Sequence, residues 1–159
     1  MKIALGSDRR GFELKTVLIS YLQEKGYETI DAGPFDNHLP VDYAIYGEKV
    51  GRLVASKECD YGVVICSTGI GMMISCNKIK GIRCGMGYTD RVAAQMREHI
   101  DANVIAFGQD EMDWNDVKRR LVIFLNTEFL GGYHCGRIQQ LSNLEEGKPI
   151  TQTPIQNKF

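Results

Sequence analysis

The segment Cys66-Ser67-Thr68-Gly69-Ile70-Gly71 places a thiol, two hydroxyls and two glycines within six residues. A cysteine that ends an apolar run just ahead of a helix sits in the positive field of the helix N-terminus, which favours the thiolate. The glycines let backbone N–H groups converge without Cβ interference, so Ser67, Gly69, Ile70 and Gly71 can form an anion cradle. A base beside such a cradle suits removal of a proton next to a carbonyl, because the developing enediolate oxygen needs donors already in place. The pattern also fits a small buried cysteine in a tight strand–helix turn.

A second group is Ser7-Asp8-Arg9-Arg10-Gly11. Asp8 can hold a sugar hydroxyl or assist proton movement, and the two guanidiniums can hold phosphate. Arg9 is the stronger candidate of the pair because it follows Asp8 directly. The alternative is that Asp8 caps the next helix while both arginines sit in water. His99 ends a predicted helix and can both give and take a proton, as opening a sugar ring requires; surface capping is the alternative. His134 and Arg137 stand three residues apart and would share one side of a helical turn, as an anion clamp needs. A solvated tail fits that spacing equally. Met72, Met73 and Cys76 read as core-facing helix residues.

The elements that must position these groups alternate along the chain. Lys2–Ser7, Tyr27–Asp31, Tyr61–Cys66, Ile82–Tyr88 and Asn103–Phe107 read as strands. Helices are predicted over Gly11–Lys25, from Tyr43 to before Cys59, from Gly71 to about Lys78, over Thr89–His99, and over about Trp114–Phe129. Gly26 is the expected C-cap of the first, and Thr89 or Asp90 the N-cap of the fourth. This order implies parallel βαβ units with right-handed crossovers: an α/β fold, a three-layer αβα sandwich around a five-stranded parallel, Rossmann-like sheet. Ligands in such sheets bind beyond the carboxyl ends of the strands, where Asp8, Cys66 and Tyr88 fall. Residues 1–140 form the expected single domain. Residues 141–159 read as a polar C-terminal tail, either crossing to a partner subunit or mobile.

Composition narrows the function classes. With 159 residues, 43% hydrophobic and 25% charged, the chain can bury a core without a disulfide or metal staple. A net charge of −1 with interspersed signs argues against nucleic acid or membrane as the main partner. Five cysteines without C-x-x-C spacing and three scattered histidines give no zinc pattern. No metal or cofactor is expected, and the chain reads as a cytoplasmic protein with reduced thiols.

Taken together the segments resemble the type B ribose-5-phosphate isomerase / galactose-6-phosphate isomerase (RpiB/LacAB) family. The matches are G-S-D at Gly6–Asp8, F-E-L-K at Phe12–Lys15, V-D-Y at Val41–Tyr43 and I-C-S-T-G-I-G-M at Ile65–Met72. They continue with N-K-I-K-G-I-R at Asn77–Arg83, R-E-H-I-D-A-N-V at Arg97–Val104 and L-N-T-E-F-x-G-G at Leu125–Gly132. The resemblance implies an aldose–ketose isomerase acting on a sugar phosphate, ribose 5-phosphate first. It also implies homodimers or homotetramers with active sites at the interfaces. It gives Cys66 as the base between C1 and C2, Ser67, Thr68 and Gly69–Gly71 as the cradle, and His99 as the ring opener. Asp8 and Tyr43 become sugar-lining residues, and Arg137, with His134 in the same segment, a phosphate ligand. The chain departs from the family pattern at Arg9, Ala44, Ile100, Asp110 and Tyr133, where histidine, proline, asparagine, arginine and arginine are usual. A different sugar, or a non-catalytic sugar-phosphate sensor, is the competing expectation.

Overall fold

The computed structural model describes residues 1–152. The five strands are β1 (Lys2–Ser7), β2 (Glu28–Asp31), β3 (Tyr61–Cys66), β4 (Cys84–Met86) and β5 (Val104–Gly108). The helices are α1 (Phe12–Glu24), α2 (Tyr43–Ala55), α3 (Ile70–Cys76), α4 (Asp90–Glu98), α5 (Trp114–Asn126) and α6 (His134–Glu145). All strand pairs are parallel, in the order β2-β1-β3-β5-β4. The connections reverse direction between β1 and β3, so the crevice for a ligand opens at the ends of those two strands.

The strands sort their side chains by alternation. Ile3, Leu5, Val63, Ile65, Ile105 and Phe107 point to one face and join Leu14, Leu18 and Leu22 of α1, Ala93 of α4 and Leu121 of α5. Ala4, Val64, Cys66, Val104 and Ala106 point to the other and meet Val50 and Val54 of α2 and Met72 and Cys76 of α3. This is the expected three-layer sandwich. Fully buried side chains such as Leu14 and Leu18 each contribute about 1.5–3 kcal/mol to it. The second face carries the smaller residues, and helices come close there. A Cβ on Gly47 of α2 would lie 2.5 Å from Cβ of Ser75 in α3, so only glycine allows that approach. Met72 and Cys76 are fully buried, as their spacing implied.

Three elements differ from the sequence expectation. β4 is confined to three residues, because as the sheet's edge strand it has β5 as its only partner. α3 has seven residues and stops at Cys76, so the helix behind the cradle is short. After Gly131 and Gly132, both at positive φ, the chain forms α6, which runs through the expected tail boundary to Glu145. Its end is fixed by Gly81 N–H donating to Glu145 and by Lys80 pairing with Glu146. The rest of the expected tail, 153–159, lies outside the described residues. No helix among those described is long and apolar enough to cross a membrane.

Two charged residues, Lys15 and Arg97, are buried on the side of the sheet that α1 covers. Lys15 is fully buried, and its Nζ donates to Asp31 Oδ1 at 2.5 Å and to the carbonyl of Pro34 at 2.6 Å. Asp31 also accepts from Gly33 N–H, and Gly33 O accepts from Ser7 N–H. Lys15 therefore ties the loop after β2 to the end of β1.

Candidate active site

The ends of β1, β3 and β5 are laced together by backbone hydrogen bonds. Asp8 N–H donates to Ile65 O, Gln109 N–H to Cys66 O and Asp110 N–H to Ser67 O. That lacing brings Asp8, Cys66 and the loop to Gly71 side by side at the carboxyl edge of the sheet. Cys66 is buried, and its Sγ accepts from the N–H of Gly69 at 3.1 Å. The donor reaches the thiol because Gly69 adopts φ +84°, a left-handed turn that glycine takes without penalty. The turn, more than the field of the short α3, thus sets the environment of the sulfur. Thr68 Oγ1 accepts from Ile70 N–H at 3.3 Å, and the Ile70 side chain points outward.

Tyr43, the first residue of α2, lays its ring over this loop. A Cβ on Gly71 would come within 3.1 Å of the ring. Asp8 Oδ1 accepts from Gly11 N–H at 2.9 Å, which closes the turn into α1. Burial pushes the Asp8 carboxyl above the ordinary carboxylate value, against the pull of the Gly11 and Arg10 backbone N–H groups. Capping and a polar role at the site are therefore compatible: one carboxylate oxygen closes the turn.

The two arginines that follow Asp8 stand in different surroundings. Arg10, not Arg9, makes the specific contact: its Nη2 lies 2.8 Å from Asp110 Oδ2. The same Asp110 oxygen accepts from Ser67 Oγ at 2.7 Å. These two donors hold the Asp110 carboxyl below its usual range. The Ser67 hydroxyl is thus committed to Asp110. Arg9 is exposed and uses its carbonyl to accept from Phe12 N–H.

His99, His134 and Arg137 form a second cluster. The rings of His99 and His134 stack at 4.5 Å with a 10° interplanar angle, Tyr133 lies 4.0 Å from His134, and the Arg137 guanidinium sits 4.7 Å over Tyr133. His134 and Arg137 are one helical turn apart in α6, as their spacing suggested, and His134 is buried, which removes the solvated-tail reading for it. Burial, then the neighbouring His99 and Arg137, push His134 toward the neutral imidazole. This cluster does not join Cys66 within one chain. α4 runs back along the sheet, and Arg97, two residues before His99, stacks on Tyr61 at the start of β3. Cys66 ends the same strand, five residues on, a separation of roughly 16 Å.

Sequence reasoning ranks Arg10 below Arg9 and assigns Lys15 no role at the site. Lys15 carried a signal, because it falls on the apolar stripe of α1 between Leu14 and Leu18. Among the described residues no three His, Cys, Asp or Glu side chains cluster closely enough to hold a metal ion. Ser7, next to Asp8, is fully buried, and its hydroxyl has no protein partner among the described residues.

A family model described as Ribose/Galactose Isomerase matches residues 3–141. The chain belongs to the ribose/galactose isomerase family. Ribose-5-phosphate isomerase B of Escherichia coli is 36% identical over 145 residues, which cover 91% of this chain and 97% of that protein. Galactose-6-phosphate isomerase subunit LacB of Clostridium acetobutylicum is 34% identical over 129 residues, covering 81% and 74% respectively. Among solved structures, ribose-5-phosphate isomerase B of Clostridium thermocellum superposes with a TM-score of 0.90 at 39% identity, covering 92% of this chain and 99% of that one. The family carries the αβα sandwich described above, and its members supply the chemical context in which the Cys66 cradle is read.

Proposed function

We propose that this chain is an aldose–ketose isomerase for a sugar phosphate, with ribose 5-phosphate as the leading substrate and ribulose 5-phosphate as its product. The observation that carries the reading is the Cys66 thiol against the Gly69 N–H, in a glycine cradle beside Asp8 at the strand crevice. Family membership and the ribose-5-phosphate isomerase B relatives favour the same chemistry. In this reading Cys66 Sγ takes the proton from C2 of the open-chain aldose and returns it to C1, while a proton passes from the C2 hydroxyl to O1. The backbone N–H groups of the cradle hold the charge on the enediolate oxygen. Asp8, Thr68 and Tyr43 orient the sugar hydroxyls.

The His99–His134–Arg137 cluster enters through a second copy of the chain. Within one chain it stands at the opposite end of the sheet from Cys66, so a homodimer or a homotetramer is the arrangement that brings a ring opener and a phosphate ligand to Cys66. Exposed apolar residues support this: Ile70 and Ile74 lie on the outer face of α3, beside the cradle, and Tyr88 and Ile100 are also exposed.

NMR of ribose 5-phosphate with the protein in deuterated water tests the reading. The expected result is ribulose 5-phosphate carrying deuterium at C1, with deuterium at C2 of the aldose re-formed by the reverse reaction, all lost in Cys66→Ala. Full turnover in Cys66→Ala would overturn the role of Cys66. Ligand binding without exchange would favour the sensor.

A further inference from the structure

In the reading above a second copy brings Arg137 to the substrate phosphate; the guanidiniums of this chain that adjoin Asp8 at the crevice, and can share that phosphate, are Arg9 and Arg10. Arg10 is already engaged by Asp110 at 2.8 Å. Asp110 is held in that position from two other directions, by the Ser67 hydroxyl at 2.7 Å and by its own N–H to Ser67 O at 3.1 Å. The carboxylate is therefore an ordered group fixed to the first residue of the cradle. Two guanidiniums and two carboxylates (Arg9, Arg10, Asp8, Asp110) leave this rim with no net formal charge. A dianionic group arriving there meets repulsion from Asp110 and must take Arg10 from it.

We propose that Asp110 is a specificity residue that competes with the substrate phosphate for Arg10 and so sets how tightly the site holds an anion. The proposal rests on the isomerase reading above and adds to it a determinant of phosphate affinity. The Asp110 carboxylate weakens the hold of this rim on a substrate phosphate relative to the same rim with Arg10 free. Ser67 takes part as the positioning group, since its hydroxyl fixes the Asp110 oxygen that faces Arg10. A charge-assisted hydrogen bond regained by a ligand is worth about ten- to hundred-fold in affinity.

The test is Asp110→Asn, which keeps an acceptor for Ser67 and removes the charge, with Asp110→Ala as a second variant should the amide disturb the loop. Calorimetric affinity for inorganic phosphate and for ribose 5-phosphate is compared with affinity for unphosphorylated ribose. The expected result is about tenfold tighter binding of both phosphates with ribose unchanged, and a fall in KM for ribose 5-phosphate larger than any change in kcat. The gain disappears in the Arg10→Gln/Asp110→Asn double variant. Unchanged phosphate affinity, an equal change for ribose, or a gain that persists without Arg10 would each overturn the proposal. Failure of the isomerase reading shows separately, as absence of Cys66-dependent deuterium incorporation, because phosphate affinity needs no turnover.

Discussion

Asp8 stands at the crevice with one oxygen closing the turn into α1 and its carboxylate partly withdrawn from water. Its raised pKa fixes a sign. Below the ordinary carboxylate value of about 3.9 the group is protonated in folded and unfolded chains alike, and the fold carries no penalty. As the pH rises through the folded-state value, the native chain must ionise a group it holds better neutral, and stability falls. Asp8→Asn, which can still accept from Gly11 N–H, is expected to raise Tm near neutral pH. That gain should vanish below the ordinary value, while activity drops at all pH values. A Tm series against pH checks it; a gain that persists at low pH would contradict the assigned cause. Ser7 makes a second residue-scale case. A buried hydroxyl without a protein partner costs about 1–3 kcal/mol in lost hydration. Ser7→Ala is therefore expected to stabilise the fold by about 1 kcal/mol in urea denaturation. Destabilisation by Ser7→Ala would mean that a water or ligand satisfies this hydroxyl.

At the scale of elements, the turn at Gly69 and the anchor at Lys15 connect packing to the site. An alanine at Gly69 would hold a left-handed φ and place its Cβ 2.7 Å from Met86 Cε and 3.0 Å from the backbone carbon of Phe107. Gly69→Ala should cost about 2 kcal/mol and, by moving the N–H that faces Cys66, lower kcat by more than its effect on KM. Urea denaturation with steady-state kinetics separates the two effects. Lys15→Met preserves apolar volume but leaves the Pro34 carbonyl and Asp31 without their ammonium donor, a loss of about 1–3 kcal/mol. Limited proteolysis should then cut the loop after Gly33 faster than in the wild type. Much of this level was legible in the chain itself. Alternating apolar runs located all five strands and the first five helices, and the C-S-T-G-I-G run marked the crevice. α6 was not legible: the Gly131-Gly132 pair and the mostly polar residues that follow read as a tail, and Leu141 and Leu144 remain exposed rather than marking a buried face. The Arg10–Asp110 contact was hidden for a different reason. It joins residues 100 positions apart, and local spacing carries no information about such pairs.

At the scale of the whole molecule, the return of α4 against the parallel strands places the cradle and the His99 cluster at opposite ends of one sheet. If each site is shared between two copies, Cys66→Ala and His99→Ala damage different halves. Each variant alone should be inactive, and an unfolded-and-refolded equal mixture should recover about a quarter of wild-type activity, since half the dimers are mixed and each of those holds one intact site. No recovery would place both residues in the same half. The separation of the halves also has a kinetic meaning. A lone chain then carries no complete site, so mass action between chains controls turnover. Specific activity should fall on dilution and return on concentration, with the midpoint reporting the dissociation constant of the pair. The reaction would be switched by how much of the protein is present as well as by its substrate.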